Sequence, residues 1–318
     1  MIELRVFGVV LSIAALGFAS MACAVDNTDF ANLARSRYVH CAFYKAYETD
    51  PATGVVAPIR MLNSLAVSMP FLRARFATHQ AYSEASVADV IGQPMARARE
   101  VRASTLASMV FLNRGSNFVA MELPLEAQVA PVFSINVADV DGDGHEDVFL
   151  SQNFFATRPE VPRLDAGRGL WLRGDGTGKL RAIPGQESGV KIYGEQRGAA
   201  VADFNEDGRV DLVVTQNGAP TRLFQNITGK PGLRVRLAGS PGNPTGVGAA
   251  LRLKYGARLG PSREIHAGSG YWSQDSAVQV MSGAERPTQI VVRWPDGSTT
   301  TTDIPSDARE ITVPAPKP

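Results

Sequence analysis

The chain has 318 residues, 44% of them hydrophobic and 20% charged, so it can bury a core and wholesale disorder is excluded. Thirty-two Lys and Arg against 31 Asp and Glu leave a net charge of +1, too little to gather nucleic acid or anionic lipid. Two cysteines, Cys23 and Cys41, exclude a disulfide framework and a cysteine-based zinc cluster, while 30 Gly and 20 Pro point to a turn-rich β protein of about two domains.

Residues 1–24 read as an export signal. Arg5 and the α-amine outweigh Glu3, and an apolar run from Val6 to Ala19 is short for a bilayer span. Ala22 and Ala24 supply small residues for cleavage after Ala24, which makes the mature chain secreted, periplasmic or displayed at the cell surface, with no transmembrane span. A lipid anchor on Cys23 is the rival reading; Ser20 suits it poorly, because a branched apolar residue usually holds that place.

Residues 25–103 form an amino-terminal segment of uncertain fold with short helices. No clear period runs from Val25 to Ala66, although the aromatic stretch from Cys41 to Tyr47 suits one strand and Asp50–Gly54 a turn. Pro70 opens a helix that sets Phe71, Leu72 and Phe76 on one side. Ser86 and Asp89 have the spacing of a capping box, and Gly92 and Pro94 stop the helix they open. Arg97, Arg99 and Arg102 read as a solvated face rather than an anion site.

From residue 104 to 229 short β-rich runs alternate with Asn-Gly, Asp-Gly and Pro-Gly turns: 108–113, 133–138, 147–151, 169–173, 198–202, 212–216 and 221–225. Lys230-Pro231-Gly232 marks a boundary. Seven further runs then fill 230–318 (233–238, 249–255, 263–267, 277–281, 289–294, 299–304 and 310–313) and suit a small sandwich or barrel.

The strongest signal is a repeat. Asp139, Asp141, Asp143 and Asp147 stand at positions 1, 3, 5 and 9 of a loop, and Asp203, Asn205, Asp207 and Asp211 hold the same places 64 residues later. Alternating oxygen side chains on a tightly coiled loop can converge on one point, with Gly144 or Gly208 at position 6 permitting the sharp turn. The backbone carbonyl of His145 or Arg209 at position 7 adds a ligand. Hard oxygen donors without thiolates suit Ca²⁺ rather than zinc. Position 12 is Leu150 or Val214, so neither loop is an EF-hand. With four carboxylates the first loop is expected to bind more tightly, while Glu146 and Glu206 lie outside the ligand positions and add only diffuse attraction.

These loops resemble FG-GAP (VCBS) repeats, the Ca²⁺-binding blade units of integrin α-chain-type β-propellers. Leu112–Phe118 and Leu172–Leu180 resemble the hairpins between the acidic loops of such repeats. Gly242–Ala249, Gly268–Gln274 and Val292–Gly297 resemble successive motifs of the ASPIC/UnbV domain, which follows such repeats in secreted bacterial proteins and in those of the cartilage acidic type. Val280–Gly283 departs from the Phe-Gly-Leu-Gly run usual there. The resemblance implies a mainly β fold: a partial β-propeller followed by a small sandwich-like ASPIC/UnbV domain. A closed propeller of about seven blades needs roughly 400 residues at this repeat length, so several amino-terminal blades are expected to be missing.

The function expected is a secreted calcium-binding repeat module for extracellular binding or scaffolding, with Ca²⁺ as cofactor and an extracellular protein or glycan as partner. No catalysis is expected. Two alternatives stay open: a polysaccharide-acting enzyme using Glu160, Asp165, Glu187 and Glu195, or an inactive propeller fragment. Gly174–Lys179 lacks the spacing of a phosphate loop, Asn226-Ile-Thr228 is a glycosylation sequon, and Trp171, Tyr271 and Trp272 read as core aromatics.

Overall fold

The computed structural model describes residues 47–49, 56–58, 61–92, 107–157 and 162–316. The export segment, both cysteines, most of the 41–47 stretch, the 50–54 turn, Pro94, the arginines at 97, 99 and 102, and Glu160 lie outside the described residues. No helix among those described is long and apolar enough to cross a membrane.

The described residues before 106 belong to one compact unit. Strands β1 (Tyr47–Thr49) and β2 (Val56–Pro58) pair antiparallel. Helices α1 (Leu62–Ser68), α2 (Leu72–Arg75), α3 (His79–Ser83) and α4 (Val87–Ile91) follow. Sequence reading missed α1, yet Leu62, Leu65, Ala66 and Met69 are buried and recur at helical spacing. Leu72 and Phe76 join that core, but Phe71 does not: α2 is a single turn, and Phe71, preceding it, is exposed beneath the Arg75 guanidinium. The capping box forms as the spacing demands, with Ser86 N donating to Asp89 Oδ2 at 2.9 Å and Asp89 N to Ser86 Oγ at 3.2 Å.

The second compact unit holds 106–157 and 162–318. It begins with the hairpin β3 (Met109–Asn113) and β4 (Phe118–Glu122). A four-stranded antiparallel meander follows, β5 (Val132–Ala138), β6 (Asp147–Gln152), β7 (Leu170–Gly174) and β8 (Leu180–Ile183). Next, after the single-turn helix α5 (Gly185–Ser188), come β9 (Glu195–Ala202), β10 (Asp211–Asn217) and β11 (Ala219–Phe224), paired in the order β11-β10-β9. The hairpins at 112–118 and 172–180 are both present. Strands β4 and β8 escaped sequence reading because β4 is exposed at four of its five positions and β8 is a sheet edge of only four residues.

These sheets stack face to face, and β6 explains why. All six of its residues are buried. Val148 and Leu150 point with Leu170 and Leu172 toward Val110 and Leu112 of the hairpin. Phe149, one residue out of phase, points with Trp171 toward Val201, Leu212 and Val214 of the next sheet. Phe149 and Trp171 are cross-strand partners with ring centroids 5.3 Å apart.

The carboxyl-terminal part is a two-sheet sandwich. One sheet has the order β16-β12-β19, from β12 (Leu233–Ala238), β16 (Gln279–Met281) and β19 (Glu310–Pro314), the β12–β19 pair being parallel. The other has the order β14-β13-β17-β18, from β13 (Ala250–Tyr255), β14 (Arg258–Leu259), β17 (Gln289–Arg293) and β18 (Thr299–Asp303), with β15 (Arg263–Glu264) also on β13. Alternate residues of both sheets, including Val235, Leu251, Leu253, Ile290, Val292 and Val313, fill one core.

Candidate metal centre

Each acidic loop joins two neighbouring strands of one sheet, β5 to β6 and β9 to β10. Both loops wind around their first aspartate. Asp139 Oδ1 accepts from the backbone of Gly142 (2.8 Å) and Asp143 (3.1 Å), and its Oδ2 from Gly144 (2.9 Å). Asp203 accepts likewise from Asp207 (3.0 Å) and Gly208 (2.9 Å). Gly144 and Gly208 have φ of +89° and +81°, a conformation in which L side chains are strained. The ninth residue closes each coil: Asp147 accepts from Val140 and Gly174, and Asp211 from Phe204 and Asn226.

In the first loop Asp139, Asp141 and Asp147 each bring a carboxylate oxygen within 4.8 Å of the others. Asp143 stands outside this trio, its Oδ1 accepting from the backbone of His145 (2.8 Å). Burial pushes the Asp139 carboxyl up to about 6 against the opposing pull of Arg263 and backbone donors. Asp147 is pushed up to about 7, again chiefly by burial, with Asp141 and Asp139 adding repulsion. Arg173 Nε lies 2.8 Å from Asp141 Oδ2, an ion pair whose N–H is not aligned for a hydrogen bond. Two buried carboxylates whose protons are held tightly, with the half-buried Asp141 beside them, offer oxygens of the kind a hard cation takes.

The second loop draws together differently. Among the described residues the carboxylates of Asp203, Asp207 and Asp211 form no such trio. Arg234, only 7% exposed, places Nη1 at 2.7 Å from Asp203 Oδ2, and the side chain of Arg209 turns back onto Asp207 Oδ2 at 3.0 Å.

Three structural residues lay beyond sequence reasoning. Glu146, expected to act only at a distance, is bound at both oxygens by Arg263. Asn226, read as a sequon, spans the two loops: its amide donates to Val140 O at 2.7 Å, while its backbone donates to Asp211. Asp275 accepts from Asn136 (2.8 Å) and Val201 N (2.8 Å), tying the sandwich to β5 and β9. All three bind groups distant in the chain, which no local pattern reveals.

Of the carboxylates considered for catalysis, Glu195 is buried and fully engaged. It accepts from Phe155 N and Asn217 and pairs with Arg197 at 2.6 Å; burial resists ionisation, but these donors outweigh it and hold the carboxyl low. Glu187 is exposed and 3.8 Å from Arg173 and Arg181. Trp171 is core, but Trp272 is 96% exposed, with a left-handed φ of +50°, on a loop pinned by the Ser269–Ser273 bridge. A cleft of about 590 Å³ runs between the sheets that carry β5 and β9 and the sandwich, lined by Ile135, Val201, Glu264, His266, Asp275 and Arg293.

Residues 239–317 match the family described as ASPIC and UnbV. The chain is also similar to cartilage acidic protein 1 of Xenopus tropicalis, 30% identical over 178 residues that cover 53% of this chain. The chain spans about a quarter (26%) of the length of that relative.

Proposed function

We propose that the chain is a calcium-binding repeat module of an exported protein, built from FG-GAP-type propeller blades and an ASPIC/UnbV domain, that serves extracellular binding or scaffolding. The single observation behind the cation is the trio Asp139, Asp141 and Asp147, in which Asp139 and Asp147 are buried with no guanidinium ion-paired to either among the described residues, while the half-buried Asp141 pairs with Arg173. Desolvated carboxylates repel strongly, and a divalent ion would relieve that repulsion. Asp139, Asp141, Asp147 and the His145 carbonyl would hold it. The ion would supply cohesion between β5 and β6 rather than chemistry, since protein oxygens around it leave little room for substrate.

Support for the module class comes from the match of residues 239–317 and the similarity to cartilage acidic protein 1. Both bear on an extracellular role with a protein or glycan partner, and the cleft and the exposed Trp272 offer surfaces of the right kind. A calcium titration followed by melting temperature tests the cation. At a hundredfold excess over Kd, binding to the folded state alone adds about 2.7 kcal/mol. Identical melting in millimolar calcium and in chelator, with no metal by elemental analysis, removes the reading.

A further inference from the structure

We propose that Arg234 takes the cation's place in the second acidic loop, which therefore latches the carboxyl-terminal sandwich instead of binding a divalent ion. The comparison rests on the calcium reading of the first loop. The two coils share a backbone, since Asp203 gathers the amides of Asp207 and Gly208 as Asp139 gathers those of Asp143 and Gly144. What differs is where the guanidiniums sit: on the central Asp203 in the second loop, but on Asp141 and Glu146 in the first.

Arg234 enters from β12. Its Nη1 lies 2.7 Å from Asp203 Oδ2, its Nε 2.8 Å from Glu310 Oε2 and its Nη2 3.2 Å from Glu206 Oε1. The guanidinium is 7% exposed and the Asp203 carboxylate 1% exposed, so neither has water as an alternative partner. A guanidinium cannot shed its proton at any ordinary pH. A divalent ion on Asp203 would therefore face a fixed buried positive charge. The rest of the loop is also committed: Asp207 Oδ2 accepts from Arg209 Nη1 and from the Asn205 amide, both at 3.0 Å.

The backbone supplies a separate observation. Position 4 is left-handed in both loops, with Gly142 at φ +75° in the first and Glu206 at φ +61° in the second. A glutamate is strained there where glycine is not, and it is this glutamate that contacts Arg234. The second loop spends strain on a residue that serves the guanidinium.

The test is a calcium stoichiometry on the full chain by equilibrium dialysis, with Asp207→Asn, Arg234→Met and their double variant. One equivalent in the parent protein, unchanged in Asp207→Asn, is expected. Arg234→Met should gain one equivalent, and the double variant should lose that gain. Two equivalents in the parent, falling to one in Asp207→Asn, overturns the proposal, as does a folded Arg234→Met with no gain. No calcium in the parent but one in Arg234→Met defeats the reading of the first loop and leaves this one standing. Should Arg234→Met fail to fold in chelator, recovery in millimolar calcium supports the latch and failure in both media counts against it.

Discussion

Arg263 on β15 holds Glu146 with both ends of its guanidinium, Nε at 2.8 Å and Nη2 at 2.9 Å, across 117 residues of sequence. Its remaining nitrogen donates to Val280 O, and both side chains of the pair are 11% exposed. Arg234 does the same work at the second loop. Each acidic coil is thus tied to the carboxyl-terminal sandwich by one buried arginine.

Glu146→Ala should destabilise the chain by about 3 kcal/mol, because it strands a buried guanidinium without its partner. Denaturant midpoints measure this. A change under about 0.5 kcal/mol would mean the pair is a surface ornament.

Removal of the carboxylate trio should separate its members. Asp141→Ala and Asp147→Ala should abolish most of the calcium-dependent rise in melting temperature, whereas Asp143→Ala, outside the trio, should keep more of it. Equal losses in all three variants would show that the coil tightens around the ion to include Asp143.

The pH dependence has a definite sign. Asp139 and Asp147 have folded pKa values of about 6 and about 7, both above the unfolded value of 3.8. Folded protein without calcium therefore binds more protons than unfolded protein between these values, so its stability should rise as pH falls from about 7 toward 4. Calcium must displace those protons, so its affinity should weaken over the same interval. Melting curves at several pH values in chelator and in calcium test both halves; apo stability that falls steadily on acidification from pH 7 contradicts the first.

The two tryptophans should behave oppositely. Trp171→Ala opens a hole where two sheets meet and should cost about 3–5 kcal/mol. Trp272→Ala should change stability by less than about 0.5 kcal/mol while weakening any ligand that docks on that loop. Loss of stability in Trp272→Ala comparable to Trp171→Ala would place it in a packed interface.

Glu195→Gln tests the enzyme alternative. The buried carboxylate answers three donors, so the amide should destabilise by about 2 kcal/mol. Lost turnover on a glycan with unchanged folding would instead make Glu195 a catalytic group.

The sequence by itself determined most of the strands and the two coils. Alternation with period two places Val148 and Leu150 opposite Phe149, and a glycine at the sixth loop position has one conformational use, so local residues carry that information. The capping box at Ser86 and Asp89 was legible for the same reason. Only the tertiary structure decided that Asp203 pairs with an arginine while Asp139 and Asp147 do not. Both loops have the required spacing, but an arginine 31 residues past Asp203 folds onto it, while Arg263 settles on Glu146 beside the trio. Charge pairing acts through space and is strongest where water is excluded, so chain order cannot reveal it. The exposure of Trp272 was hidden likewise, because a left-handed backbone at a non-glycine residue is set by the bridge at its flanks and the packing of Tyr271 on Phe133.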